Sequence, residues 1–477
     1  MIEPDQPSQA ELVAELLELR RVNALLREKL AHQDVLLEEA ARIVEALRAE
    51  NEKLKKEIES LRREVAEEKR SFSKANTKSH ECKKPGAPPG HKGCGRPRPP
   101  EVDEIVIVKP KCCPHCGSEE VKEEEGFRER VVTDVEFRVR RRKYRLNRGY
   151  CPRCKRSFYP EPEECRAGER IGPNASSAAG YMRTIGIPGR KIEEIFENVF
   201  GLKLTHTTIL AKETKLARAA EPLYAGIEGR VRESERVHID ETGWRVDGKN
   251  WWLWCFVNKA AAYFHIDRSR GRGVPEGILG REYKGIAITD FYSAYNKLPC
   301  GGRQPCVGHL LREVKRVEGR SEGEERAFCR GLKETLKSSI EVWRRFRAGE
   351  IDERELSVER EGIIGRTVKL IEGAPTGADA QRIVKRLLKH HEEIFRFLYD
   401  PRIEPTNNEA ERALRPSVVK RKTSYGSRSE RGARNHSVLT SVVQTAQRQG
   451  LGGYDTIRRL LLGKLTEAEL LPVVRPP

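Results

Sequence analysis

Two apolar stretches of this sequence each deliver a carboxylate. Val237-His238-Ile239-Asp240 reads as a short buried strand ending on an acid, and Ile286-Ala287-Ile288-Thr289 reads as a second, ending on Asp290. Residues 251–257 and 260–266, between them, are apolar and aromatic-rich and are split by the turn-like pair Asn258-Lys259, a hairpin pattern. A Gly-rich break and a short helix-like segment then lead to the strand before Asp290. Three neighbouring strands, a helix and a returning strand open a mixed αβ sheet. Acids on adjacent strands could share divalent metal ions, for which carboxylate oxygens are the preferred hard ligands.

A third acid is available far downstream, in residues 405–416 (PTNNEAERALRP). This stretch reads as a short helix stopped by Pro416. Glu409 and Glu411 sit on nearly opposite sides of it, so only one of them can face the sheet. Asn408, Glu411 and Arg415 share a face at i, i+3 and i+7, and Glu411 is the choice. The segments HIDETGW, TDFYSAYN, CVGHLLREVKR and TNNEAERALRP together resemble transposases of the insertion-sequence 66 family. That resemblance implies an RNase H-like fold with a DDE triad. Matched residue by residue, it makes Asp240, Asp290 and Glu411 the triad. It also places Cys306 and His309, the Cys-x-x-His element, close to the active site. A structural role for those two is preferred over a catalytic one, and Asn408 stands beside them as a second-tier candidate.

The activity so implied is metal-dependent phosphodiester cleavage and strand transfer at the ends of an insertion sequence. Two Mg²⁺ or Mn²⁺ ions about 3.5–4 Å apart relieve charge on the attacking and leaving oxygens in such reactions. Asp240 is expected to bridge both, with Asp290 and Glu411 holding one each. Water nicks the element's end and the freed 3′-hydroxyl attacks target DNA, with no covalent protein–DNA link. Two alternatives stay open: an RNase H-like nuclease or resolvase that cuts without joining, and a catalytically inactive, transposase-derived dimeric DNA-binding protein.

Composition bounds the rest. Ninety-one Lys and Arg against 73 Asp and Glu leave a formal net charge of +18 over 477 residues, a bias that suits a polyanionic partner. A solubilising charged surface is the plainer account, but the cations cluster, which favours DNA. No apolar run approaches the roughly 20 residues of a membrane span, and the charged amino terminus is no signal peptide, so a cytoplasmic protein is expected. Twelve Cys without a leader argue for reduced thiols and metal sites.

The elements that would position the acids follow in chain order. Over residues 8–70 Leu12, Leu19, Leu26, Leu47, Leu54 and Leu61 alternate with Leu16, Leu30, Leu37, Val44, Ile58 and Val65 at 4-3 spacing, with Asn23 and Asn51 in the second set. A seam this narrow requires a partner helix, and buried Asn favours a two-stranded register, so a parallel homodimer is expected, alone or within a larger synaptic assembly that accessory proteins of the element could join. Residues 71–100 form a basic Pro/Gly-rich linker in which residues 95–99 (GRPRP) look like an AT-hook or a plain spacer. In 101–170, Cys113-x-x-Cys116 and Cys151-x-x-Cys154 are two knuckles 34 residues apart that would close a tetrahedral structural Zn²⁺ site, with residues 137–150 strand-like between them. A thioredoxin-type redox pair is the poorer account of two such knuckles. Arg138 to Arg156 carries ten Lys or Arg and no acid. Arg138, Arg140, Arg141, Arg142, Lys143 and Arg145 are therefore DNA-contact candidates.

Residues 171–230 read as three helices, at 174–185, 191–200 and 207–220, with Thr205 as an N-cap. The last two suit a helix-turn-helix or ordinary packing on the sheet equally well. The catalytic core is expected in two parts, 231–318 and 401–477, interrupted by a charged helical insertion over 319–400. Downstream of Glu411, a second basic cluster that includes Arg415, Lys420, Arg421 and Lys422 could grip DNA beside the cut.

Overall fold

The computed structural model describes residues 9–73, 101–162 and 168–472. The AT-hook-like run and nearly all of the linker lie outside them. The chain divides into two compact units, Met1–Val132 and Thr133–Pro477. In the first, a single helix α1, Gln9–Ser73, runs unbroken for 65 residues. Its described seam residues Leu16, Leu19, Leu26, Val44, Leu47, Leu54 and Ile58 are all exposed, as a 4-3 stripe must be on a lone helix. The side chains of Leu12, Leu30, Gln33, Leu37, Ala40, Leu61 and Val65 lie outside the described residues. Residues 101–132 contain no helix or strand.

The second unit is a mixed α/β structure. A hairpin of β1, Gly149–Cys151, and β2, Arg156–Phe158, comes first. The longer strand expected over 137–150 is absent apart from its last two residues; residues 137–148 are irregular and mostly exposed. Among the described residues this run has no neighbouring strand to satisfy its backbone. Helices α2 (Pro173–Thr184), α3 (Gly189–Asn198) and α4 (His206–Arg232) follow. The Thr205 side chain accepts from the Thr208 amide, as an N-cap should. α4 is longer than its sequence pattern suggests and passes through Pro222. Its second half, from Leu216 to Val231, belongs to the main core.

The sheet consists of β3 (Arg236–Val246), β4 (Lys249–Val257), β5 (Ala262–Asp267), β6 (Ile286–Thr289) and β7 (Gly302–Pro305), with α5 (Gly273–Leu279) crossing between β5 and β6. Strand order is β5-β4-β3-β6-β7; the first three are antiparallel, while β6 and β7 run parallel to β3. β3 does not stop at Asp240. It continues six residues to the turn Asp247-Gly248, where both residues have positive φ (50° and 71°). Asp-Gly is the pair that such a two-residue hairpin demands, and its twist lets β3 and β4 stay paired to the end. Asn258 closes the next hairpin, its Oδ1 accepting from the amides of Ala260 and Ala261.

Beyond the sheet come α6 (Val307–Glu318) and then α7 (Gly323–Arg347), α8 (Glu353–Glu372), α9 (Ala378–Lys389) and the short α10 (Arg396–Tyr399), these last four in the place of the helical insertion expected over 319–400. They share an apolar core of their own with α6, including Leu332, Leu336, Ile383, Leu387 and Phe397. α11 (Asn408–Ser424), α12 (Glu430–Arg448), α13 (Gly453–Leu461) and α14 (Glu467–Leu470) close the unit. α11 runs straight through Pro416, against expectation. Its second half is anchored by Ser417 and Lys420, both bonded to the buried His436 of α12, and that packing outweighs the roughly 3 kcal/mol a proline costs inside a helix.

One sheet face, with Val237, Ile239, Trp254 and Phe256, packs on α4, α12 and α13. The other, with Trp244, Val246, Leu253 and Cys255, packs on Ala413 and Leu414 of α11. Among the described residues no helix is long and apolar enough to cross a membrane.

Candidate active site

The parallel register of β3 and β6 ends at the pair His238–Ile288. Carried on by two residues, that register sets Asp240, within β3, beside Asp290, the residue just past the end of β6, and alternation with period two puts both on one face. That face is the one α11 covers, and Glu411 lies in α11's first turn. Burial pushes the Asp240 carboxyl well above the usual carboxylate range, and the charges of Glu241, Asp290 and Glu411 push it in the same direction. The three expected acids are therefore electrostatic neighbours around the centre of β3. Among the described residues, however, no three His, Cys, Asp or Glu are placed closely enough to hold a metal ion. The Glu411 carboxylate is instead engaged by Arg312, 2.5 Å away, with His309 Nε2 at 3.8 Å.

Glu411 and Glu409 do part company as the helix geometry requires. Glu409 turns away to ion pairs with Arg412 and Arg448. Cys306 is buried at the N-cap of α6, and His309 sits one turn in. The Cys306 thiol is pushed up by burial. His309 is held below its ordinary value by burial and by the nearby Arg312, and its Nδ1 is buried without a partner. Asn408 is exposed.

The residue that the sequence reading missed is its neighbour Asn407, fully buried. Its side chain donates to the Ile239 carbonyl at 2.7 Å and meets His238 Nδ1 at 3.2 Å, and its amide donates to Cys306 Sγ at 3.1 Å. One residue thus ties the start of α11 to β3, next to Asp240, through its side chain, and to the start of α6 through its backbone amide. The Asn-Asn pair was the visible signal. A second missed residue is the acid Glu241, buried on the opposite face, where Tyr295 and Arg270 bond its carboxylate.

The cationic candidates divide. Arg138, Arg140, Arg141, Arg142, Lys143, Arg145, Arg415 and Lys422 are all exposed. Lys420 is not. It is buried, bonded to His436 Nδ1 at 3.0 Å, and burial lowers its ammonium to about 8, so it cannot join a surface that grips phosphates. Arg421 is half-buried and donates to Thr242 Oγ1 and the Gly243 carbonyl of β3, which makes it a brace between α11 and the sheet. The knuckle cysteines form two separate tight turns. Gly117 and Ser118 close a backbone turn on Cys113, and hydrogen bonds within each knuckle lower the Cys113 and Cys151 thiols.

Comparison with known proteins gives two matches. The family model described as Transposase IS66 family matches residues 183–435, a span that contains Asp240, Asp290 and Glu411 and excludes α1 and both cysteine knuckles. An uncharacterized protein, y4qI, of Sinorhizobium fredii (strain NBRC 101917 / NGR234) is 28% identical over 269 residues, covering 49% of this chain and 48% of that protein. The chain therefore spans about half the length of this curated relative.

Proposed function

This chain belongs to the IS66 family of transposases, and from that membership we propose that it cuts insertion-sequence ends and joins them to target DNA through Asp240, Asp290 and Glu411. The observation that carries the reading is Asp240 in β3 with Asp290 just past the end of the parallel neighbour β6, and Glu411, in the first turn of α11, close enough for its charge to act on Asp240. The strand order, three antiparallel strands followed by two parallel ones, suits an RNase H-like catalytic core.

The donor set fits divalent cations. Burial first, and after it the charges of Glu241, Asp290 and Glu411, raise the Asp240 carboxyl; a divalent cation would relieve both, and carboxylate oxygens are hard ligands for one. Two Mg²⁺ or Mn²⁺ ions bound there would neutralise the phosphodiester and acidify a water. Asp240 and Asp290 would hold them on rigid strands. Glu411 would complete the set on leaving Arg312, and the freed guanidinium could then take a DNA phosphate. Asn407 keeps Glu411's helix in register with β3. Exposed Arg138, Arg140, Arg141, Arg142, Lys143, Arg145, Arg415 and Lys422 would neutralise backbone phosphates. In the same reading α1 pairs with the α1 of a second copy, bringing two DNA ends together, and Cys113, Cys116, Cys151 and Cys154 hold one structural Zn²⁺.

The test is an assay of the purified full chain with Mg²⁺ or Mn²⁺ and a labelled element end, scored for nicked and joined products. Wild-type protein is expected to give both. Asp240→Asn, Asp290→Asn and Glu411→Gln are each expected to abolish both while DNA binding persists. Nicks that never join would point to a nuclease, and cleavage that survives Asp240→Asn would overturn the assignment.

A further inference from the structure

At 100° per residue, Glu411, Arg415, Lys422 and Tyr425 fall within about 80° of one another around α11. The helix thus presents a rail with the candidate catalytic acid at one end, two cations along it and an aromatic ring at the other. Arg415 and Lys422 are exposed, and neither side chain has a hydrogen bond or ion pair among the described residues. Tyr425 is 83% exposed.

The backbone beneath that ring is unusual. Tyr425 caps α11 in the left-handed region, with φ 58° and ψ 16°, its amide donating to the Arg421 carbonyl. This is the place where helices use glycine, because a side chain's Cβ is strained there. The strain does not come from a loose end. Gly426, at φ 100°, is pressed on the backbone of Arg245, where a Cβ would meet the carbonyl oxygen at 2.3 Å. Ser427 exchanges backbone hydrogen bonds with Arg245 and Asp247 at the end of β3. A rigid turn therefore aims a large aromatic ring into solvent at a position where glycine would be more comfortable, and the ring gains no core contact in return. Strain kept at such a position points to a task outside the fold.

We propose that Tyr425 is a nucleobase-stacking contact for the DNA strand that enters the active site, with Arg415 and Lys422 holding its phosphates on the way. The proposal rests on the DNA-cleaving reading above. Aromatic rings flanked by cations are how proteins hold unpaired or partly unstacked bases. Fourteen residues of helix separate Tyr425 from Glu411, about 21 Å at 1.5 Å per residue, or about six nucleotides at 3.4 Å each.

The experiment uses the full chain with end DNA carrying 2-aminopurine at successive positions from the mapped cut, in Ca²⁺ to hold back cleavage. Wild-type protein and Tyr425→Phe are expected to change the probe's emission at one or two positions about six nucleotides from the cut. Tyr425→Gly is expected to lose that change and to bind the end about tenfold more weakly, with its melting temperature unchanged or raised. Tyr425→Gly binding like wild type, with the same emission pattern, would overturn the contact alone. A lowered melting temperature in that variant would make the ring a structural part and overturn it as well. Failure of the wild type to bind end DNA would overturn the DNA reading, and this contact with it.

Discussion

Asp240 shows how a single position combines fold and chemistry. Its carboxyl is raised by burial and by three neighbouring acids, so in the folded chain the charged form is disfavoured. A folded value above the unfolded one of 3.8 means that the group stabilises the fold at low pH and that this contribution is lost as pH rises towards the folded value. Without divalent metal, Asp240→Asn should therefore melt higher than wild type at pH 7, with the gap closing as pH falls toward 4, in thermal denaturation followed across pH. Lys420 supplies the mirror case. Held near 8 by burial, its ammonium is spent on the buried His436 and not on solvent or phosphate, so Lys420→Met should leave DNA affinity unchanged in a binding assay. A loss of DNA binding would return Lys420 to the phosphate-gripping surface. Asn407→Ala should cost about 2–4 kcal/mol in urea unfolding, because it strands a buried carbonyl and an imidazole nitrogen. At this scale the sequence showed the acids plainly, since strings such as HIDETGW and TNNEAER fix residue type and spacing. It could not show that Asn407 rather than Asn408 faces inward, or that Lys420 does. Which of two adjacent polar residues is buried depends on how the helix is rotated against a distant strand.

Elements were legible where hydrophobic period and punctuation agree. The hairpin at Asn258, the Thr205 cap and the charged insertion helices all lie close to where their patterns place them. Two failures share one cause, tertiary support that local signals do not carry. β3 outruns Asp240 because Asp247-Gly248 makes a two-residue hairpin, and α11 crosses Pro416 because α12 holds its far half. The opposite failure, the missing strand over 137–148, comes from the lack of such support. The cysteine knuckles yield an element-scale prediction. Protein purified without added chelator should contain about one zinc per chain by elemental analysis. Cys113→Ser together with Cys151→Ser should remove it and weaken end binding while sparing the melting of the catalytic unit. Full zinc content in that double variant would count against the four-thiolate site.

Across the whole molecule, the family match covers residues 183–435, while α1 speaks for assembly. Its described seam leucines and valine are exposed on a 65-residue helix, and a partner helix would bury them. Residues 1–70 should sediment as a dimer at micromolar concentration, and a purely monomeric peptide would remove coiled-coil pairing from the account. Everything else depends on three carboxylates, distant in sequence, acting as one metal-binding set. The most direct test is Mn²⁺ binding to the zinc-loaded full chain, followed by electron paramagnetic resonance, for wild type and for Asp240→Asn, Asp290→Asn and Glu411→Gln. Each substitution is predicted to weaken binding at least about tenfold, since losing even an outer-shell partner of a metal costs about that much. Mn²⁺ held by Glu411→Gln as tightly as by wild type would contradict the shared site.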